Sequence, residues 1–145
     1  MDPANFNTAK FDTAKFDTGL EARRRVLGDE YVDRAFDTAD AFNIAFQKLV
    51  TEYCWGEVWG RAALSDKQRS LNNLCILACL NRSEEFKTHF RGALRNGCSL
   101  DELRDTLVQI MVYAGVPAGV EAFRLAREVL KDQGIDPGPK ESATG

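Results

Sequence analysis

Helix signals run along almost the whole chain and constrain the fold more than any other feature of the sequence. Two capping boxes, Ser65 with Gln68 and Ser99 with Glu102, each stand before an apolar run, as at the start of many helices. Gly134 follows the last periodic segment, where a helix commonly stops. No segment alternates polar and apolar residues with the period of a strand. The sequence therefore predicts an all-α fold of roughly six to seven helices.

Two segments carry the strongest apolar patterns. Over residues 39–54, helical spacing predicts an amphipathic helix whose stripe consists of Phe42, Ala45, Phe46, Leu49, Val50 and Tyr53. The run SLNNLCILACL, residues 70–80, is apolar nearly all round. That pattern predicts a helix at the centre of the core.

One folded domain accounts for the length of 145 residues. We expect it to cover residues 19–134. Residues 1–18 repeat FNTAK, FDTAK and FDTGL, and phenylalanines five residues apart form no common helical stripe. We expect this segment to be a flexible arm, either disordered or clasping a neighbouring subunit. The tail, residues 135–145, contains two prolines and no helical period, so we expect disorder there.

Composition excludes several classes of partner. The net charge is -3, and no basic stripe stands out, so nucleic acid is not an expected partner. No apolar run is long enough to span a bilayer, and the N-terminus lacks the apolar core of a secretion signal. We therefore expect a cytoplasmic protein with no membrane partner.

His89 is the only histidine of the chain and lies four residues after Glu85 on the apolar side of an expected helix. A lone histidine in such a place is more often a hydrogen-bonded core residue than a catalyst. Cys75 and Cys79 lie on one face of the preceding helix and are expected to be small core thiols. Paired Cys/His spacings are missing, so we expect no metal site.

The segment YCWGEVWGR, residues 53–61, joins two tryptophans to a glutamate and an arginine. One interpretation is a half-dry pocket wall in which Glu57 and Arg61 act on a ligand beside Trp59. The other is that the tryptophans anchor the core while Glu57 and Arg61 form a surface ion pair. Spacing alone leaves both interpretations open.

Several motifs in one order resemble the carboxymuconolactone decarboxylase family. They cover roughly residues 20–131 and comprise YCWGEVWGR, RSL, LNRSEEFKTHFRGALRNG, SLDEL and YAGVPAGVEAFRLAREVL. The resemblance implies a helical subunit of the alkyl-hydroperoxidase D type, assembled as a homo-oligomer such as a dimer, trimer or hexamer. It also implies a small-molecule substrate and no cofactor.

The thiol-dependent branch of this superfamily is not expected here. Its members carry cysteines seven and four residues before the histidine, and this chain has Arg82 and Glu85 at those places. A disulfide-based peroxidase mechanism would therefore lack both thiols.

The resemblance implies a cofactor-free acid–base enzyme that acts on a conjugated lactone or keto compound through an enolate or dienolate, by decarboxylation of a substrate like γ-carboxymuconolactone. It implies His89 as the carrier of the proton, since an imidazole titrates near neutral pH, with Glu57 as a second acid or base. Glu85 could orient His89, and the arginines could grip carboxylates. The full set of expected substrate-binding residues is Arg61, Arg69, Trp59, Glu85 and Tyr113.

Departures from the family pattern leave the reaction open. Ala114 stands where bacterial decarboxylases of this branch have a cysteine, and Gly119 with Val120 stands where they have Ala-Asn. These changes make the expected pocket rim less polar, which would suit a flatter, more aromatic ligand. The first alternative is thus a cofactor-free isomerase moving a proton on a dienone or xanthone-type intermediate in fungal polyketide biosynthesis. The second is a non-catalytic binding or assembly subunit.

Overall fold

The computed structural model describes residues 13–139, and every regular element in that range is a helix. In chain order these are α1 (Thr13–Leu27), α2 (Asp29–Asp37), α3 (Ile44–Leu49), a π-helical segment (Val50–Val58) that continues α3, α4 (Asp66–Cys79), α5 (Ser83–Arg95), α6 (Leu100–Ala114) and α7 (Val116–Asp132). The all-α prediction is confirmed. None of the helices between residues 13 and 139 has an apolar run long enough to cross a membrane.

Both predicted capping boxes are present. The Ser65 side chain accepts a hydrogen bond from the backbone N–H of Gln68, and the Gln68 side chain accepts one from the backbone of Ser65. Ser99 and Glu102 make the same reciprocal pair at the start of α6. These bonds satisfy backbone donors that a helix start otherwise leaves unpaired, so they fix where α4 and α6 begin.

Helix α1 begins at Thr13, six residues before the predicted start of the folded domain. Phe16 is buried and packs edge-on against Phe36, with ring centroids 6.2 Å apart. The part of the expected arm from Thr13 to Thr18 is therefore helical, because a tertiary contact rather than a stripe of equal spacing holds it. Residues 1–12, which contain the first repeat of the tandem and the first two residues of the second, lie outside the described residues.

The C-terminal boundary differs slightly from the prediction as well. Ile135, expected to open a disordered tail, packs against the core, and its backbone N–H donates to the Leu130 carbonyl over 2.9 Å. Residues 140–145 lie outside the described part of the chain.

Two apolar clusters form the core. The larger one joins α4, α5, α6 and α7 around Leu74, Phe90, Leu107 and Val129. The smaller one joins α1 and α2 to the π-helical segment and contains Trp55 and Trp59. The tryptophans therefore lie where one end of the π-helical segment meets the rest of the core.

The close approach of α1 to the π-helical segment depends on two glycines. A Cβ atom at Gly19 would clash with the backbone carbonyl oxygen of Thr51, and one at Gly56 would clash with that of Lys15. Backbone cannot give way as a flexible side chain can. Glycine at these two positions thus sets the position of the π-helical segment.

Two expectations from the apolar patterns are wrong: the stripe over residues 39–54 is not buried in the subunit, and the helix that contains residues 70–79 is not at the centre of the core. The stripe on α3 and the π-helical segment is exposed: Phe42, Phe46, Leu49 and Tyr53 are each at least half exposed. Helix α4 is not central, because only Ser70 and Leu74 of its residues are buried. An apolar pattern indicates which residues share a helix face, but not whether the same subunit buries that face.

Candidate functional site

The site is built on the π-helical segment that continues α3. Trp55 and Trp59 are both buried, and their rings stack with centroids 4.9 Å apart and planes inclined by 27°. A π-helical turn is wider than an α-helical one and shifts which residues share a face. The two indoles consequently form one apolar wall toward α5.

His89 projects from α5 onto this wall. Its ring is nearly parallel to that of Trp55, at 6° and a centroid distance of 6.2 Å, and lies 6.4 Å from that of Trp59 at 20°. The side chain is half-buried rather than sealed in the core. The structure thus brings together two of the residues expected at the site, Trp59 and His89.

Asn73 of α4 contacts the Nδ1 edge of the imidazole. Its Nδ2 lies 3.4 Å from His89 Nδ1. No hydrogen bond within residues 13–139 reaches His89 Nε2. One ring nitrogen is therefore held by a neutral amide, and the other has no hydrogen-bond partner within the described residues.

Sequence reasoning missed Asn73. The only available signal was its spacing from Arg69, four residues earlier on the same face of α4. Helical spacing shows that these two residues share a face, but not which helix that face meets.

The surroundings of His89 disfavour its charge. Burial of the imidazole lowers the pKa of His89 below 6.5, while the Glu85 carboxylate on the same helix acts in the opposite direction. The free protein therefore favours the neutral imidazole over the imidazolium. Glu85 is exposed, and it is the carboxylate whose field reaches the ring.

Glu57 turns away from this cluster. It is exposed, and its carboxylate pairs with Lys15 Nζ at 3.2 Å and with Arg61 NH1 at 3.6 Å. Arg61 is itself 68% exposed. The surface-pair interpretation therefore describes Glu57 and Arg61, whereas Trp59 forms part of the wall beside His89.

Arg69 is placed differently from Arg61. Its NH2 donates to the Arg61 carbonyl oxygen at 3.0 Å, and its Nε is buried without a hydrogen-bond partner. No acidic side chain among the described residues pairs with it. Arg69 is therefore a fixed guanidinium whose charge is not neutralised by the described part of the subunit.

Tyr113 lies far out at the end of α6. Its side chain is 86% exposed, and no ring contact or hydrogen bond among the described residues joins it to His89 or the tryptophans. The described subunit does not bring Tyr113 into the site.

Two buried charges beside the site also escaped sequence reasoning. Arg23 is buried; it donates to Thr51 Oγ1 at 3.1 Å and to Gln47 Oε1 at 3.0 Å, while its Nε has no partner. Glu52 is buried with Oε1 unpaired. Only its tertiary surroundings distinguish such a residue from the many solvated charges of the sequence.

Comparison with known proteins agrees with the fold and the motifs. The model of the carboxymuconolactone decarboxylase family matches residues 45–128. The chain is 40% identical over 119 residues to a 4-carboxymuconolactone decarboxylase of Acinetobacter baylyi, covering 82% of this chain and 89% of that protein. It is also 38% identical over 120 residues to a nitrosuccinic acid decarboxylase of Metarhizium robertsii, covering 83% of each.

Proposed function

Because the chain belongs to the carboxymuconolactone decarboxylase family of enzymes, we propose that it decarboxylates a small carboxylic acid by acid–base chemistry without a cofactor. The observation that carries the proposal is the imidazole of His89, half-buried on two tryptophans with Nε2 unbonded within the described residues. A ring nitrogen so placed can exchange a proton with a bound ligand.

The names of the two relatives narrow the reaction. One relative is named for a carboxymuconolactone and the other for nitrosuccinic acid, and both are named decarboxylases. A lactone carbonyl accepts an electron pair through a conjugated C=C bond, and a nitro group accepts one from the carbon that bears it. The substrate class that fits both names is therefore a carboxylic acid in which the carbon that loses carbon dioxide is attached to such a group, or conjugated with it through a C=C bond.

The proposed reaction breaks one carbon–carbon bond and forms one carbon–hydrogen bond. The bond to the carboxylate breaks, carbon dioxide leaves, and the electron pair enters the lactone as a dienolate or the nitro group as a nitronate. His89 then gives a proton from Nε2 to the carbon and recovers one from solvent. One proton is consumed for each carbon dioxide released, so charge and atoms balance.

The charge of the substrate favours uptake of a proton from solvent by His89, which is neutral at rest. Burial keeps the His89 pKa low in the free protein. A bound carboxylate next to the ring favours the imidazolium and raises that pKa. Binding of the anionic substrate is thus expected to load His89 with the proton that it later delivers.

Arg69 is the better placed of the two predicted carboxylate-binding arginines. Arg61 is exposed and already pairs with Glu57, while Arg69 has no acidic partner among the described residues and shares a helix face with Asn73. A guanidinium binds a carboxylate in two parallel hydrogen bonds. We assign Arg69 to a substrate carboxylate. Glu57 as a second acid or base stays a prediction, and it requires its ion pairs to open.

The exposed apolar faces favour a homo-oligomer. One set is the stripe Phe42, Phe46, Leu49 and Tyr53, and a second set from α4 to α7 comprises Ile76, Leu80, Val112, Tyr113, Val116 and Val120. Soluble monomers rarely leave large apolar patches in water. We propose that copies of this chain cover both faces, which also places Tyr113 at a subunit contact.

Carbon dioxide release tests the proposal. The purified protein is given 4-carboxymuconolactone and, separately, 2-nitrosuccinate, and carbon dioxide and product mass are measured beside a His89→Ala variant. We expect catalysed carbon dioxide release from at least one of the two acids, and loss of that activity in the variant. Proton exchange from deuterated water without loss of mass would instead indicate an isomerase, and no change in either acid would contradict the proposal.

A further inference from the structure

We propose that Asn73 is a positioning residue that selects which nitrogen of His89 carries the proton and holds the ring in both of its charge states. The inference rests on the proposed function of His89 but concerns a residue that neither the motifs nor the comparisons identify. It starts from the contact of 3.4 Å between Asn73 Nδ2 and His89 Nδ1.

With the Asn73 amide nitrogen toward the ring, as in this structure, the contact suits one tautomer of the neutral ring. An amide nitrogen has hydrogens to donate and no lone pair to accept with, so Nδ1 is the acceptor in this orientation. A neutral imidazole has one N–H, and with Nδ1 unprotonated that hydrogen is on Nε2. The nitrogen facing away from Asn73 therefore carries the proton.

The same amide also suits the charged ring. When substrate binding adds a proton, both ring nitrogens become donors, and Nδ1 then needs an acceptor. Rotation of the Asn73 amide by half a turn brings its oxygen to the place of its nitrogen. A neutral amide thus stabilises both states without the permanent negative charge that would keep His89 protonated at rest.

The other groups around the ring leave this role to Asn73. Trp55 and Trp59, from the π-helical segment, cover one face and carry no charge. Glu85, on the same helix as His89, is the charged group within residues 13–139 whose field acts on the ring. Helix α4 provides Asn73, with Arg69 one turn earlier on the same face.

Nuclear magnetic resonance tests this directly because His89 is the only histidine. In the full-length protein labelled with ¹⁵N, the shifts of the two ring nitrogens report which one is protonated as the pH is changed. We expect Nδ1 unprotonated and Nε2 protonated at neutral pH. Asn73→Asp, of the same shape, is expected to raise the His89 pKa and to protonate Nδ1. Asn73→Leu is expected to leave a mixture of tautomers.

Asn72 is a matched control, since it is the same residue type one position earlier and is exposed. Asn72→Asp adds the same charge to the same helix. It is expected to leave the tautomer of His89 unchanged and to alter the His89 pKa little. Protonated Nδ1 in the neutral wild-type ring, or equal shifts from Asn72→Asp and Asn73→Asp, would overturn the inference.

Turnover gives a second readout. In Asn73→Leu we expect kcat to fall about tenfold or more, yet less than in His89→Ala. In Asn73→Asp we expect the fall of kcat/KM with rising pH to move to higher pH. An active His89→Ala variant with the expected ring shifts would reject the proposed function alone. Unaltered shifts in both Asn73 variants, with an inactive His89→Ala, would reject the role of Asn73 alone.

Discussion

In the proposed mechanism, the chemistry of the subunit depends on one imidazole whose surroundings disfavour its charged form. His89 is half-buried between two tryptophans and an amide, and burial lowers its pKa. An enzyme that must return a proton to carbon gains from such a group. The imidazolium is a much stronger acid than the neutral imidazole of the resting state. Once His89 has taken up a proton beside an anionic substrate, it can therefore donate that proton to carbon.

The pH dependence of turnover follows from the direction of this shift. If protonated His89 is the active form, kcat/KM falls as the pH rises through the lowered pKa of the free enzyme, below 6.5. The fall of kcat is expected at higher pH, because bound carboxylates raise the His89 pKa in the complex. The measurement is the pair of pH profiles, and a kcat/KM that falls only toward acid would contradict this assignment.

Substitution of Arg69 is expected to raise KM far more than substitution of Arg61. Arg69→Met removes a guanidinium with no acidic partner in the described residues, and we expect KM to rise about tenfold or more, the effect of one lost charged hydrogen bond. Arg61→Met breaks an exposed pair and is expected to change KM little. Steady-state kinetics of both variants decide this, and a larger effect at Arg61 would reverse the assignment.

At the scale of elements, the π-helical segment positions the tryptophans, and the packing of α1 positions that segment. The two helices approach closely at Gly19 and Gly56, where added side-chain atoms would meet backbone. The position of the tryptophan wall thus depends on the packing of α1, although neither tryptophan lies on α1.

Gly56→Ala is expected to destabilise the fold and displace the tryptophan wall. Overpacking of this kind costs on the order of 2 kcal/mol or more, which lowers Tm by about 5 °C or more in a chain of this length. Asp17→Ala, an exposed change on α1, is the control and is expected to have little effect. Thermal unfolding followed by tryptophan fluorescence measures both variants, and an unchanged Tm in Gly56→Ala would contradict the packing argument.

Local signals predicted the elements better than their faces. The capping boxes at Ser65 and Ser99 gave helix starts because a cap is a contact between residues three apart. The apolar stripe through Phe46 and Tyr53 correctly predicted a helix, but the side chains of that stripe are exposed in the subunit. Similarly, spacing placed His89 and Glu85 on one helix, whereas Asn73 is sixteen residues earlier in the chain and only tertiary packing brings it to the ring.

On the scale of the whole molecule, the exposed apolar side chains are the basis for the proposed homo-oligomer. Tyr53 of the exposed stripe lies on the same π-helical segment as Trp55, and Trp59 directly follows that segment. An assembly that covers this stripe would therefore also hold the catalytic wall in place.

Phe46→Glu is expected to break the oligomer, because a carboxylate on a buried apolar contact must lose its hydration. The wild-type chain is expected to have a mass that is a multiple of 16.2 kDa, and the variant a smaller one. Arg34→Glu, which changes charge on exposed α2, is the control. Light scattering after size-exclusion chromatography measures all three, and a monomeric wild-type chain would contradict the assembly.

The central claim is that His89 carries the proton to the carbon from which carbon dioxide has left. The most direct measurement is the rate of carbon dioxide release by His89→Ala beside the wild-type enzyme, with circular dichroism showing the same helical fold. We expect a loss of about 100-fold or more, the usual contribution of a general acid or base. A folded His89→Ala variant that releases carbon dioxide at nearly the wild-type rate would contradict the account.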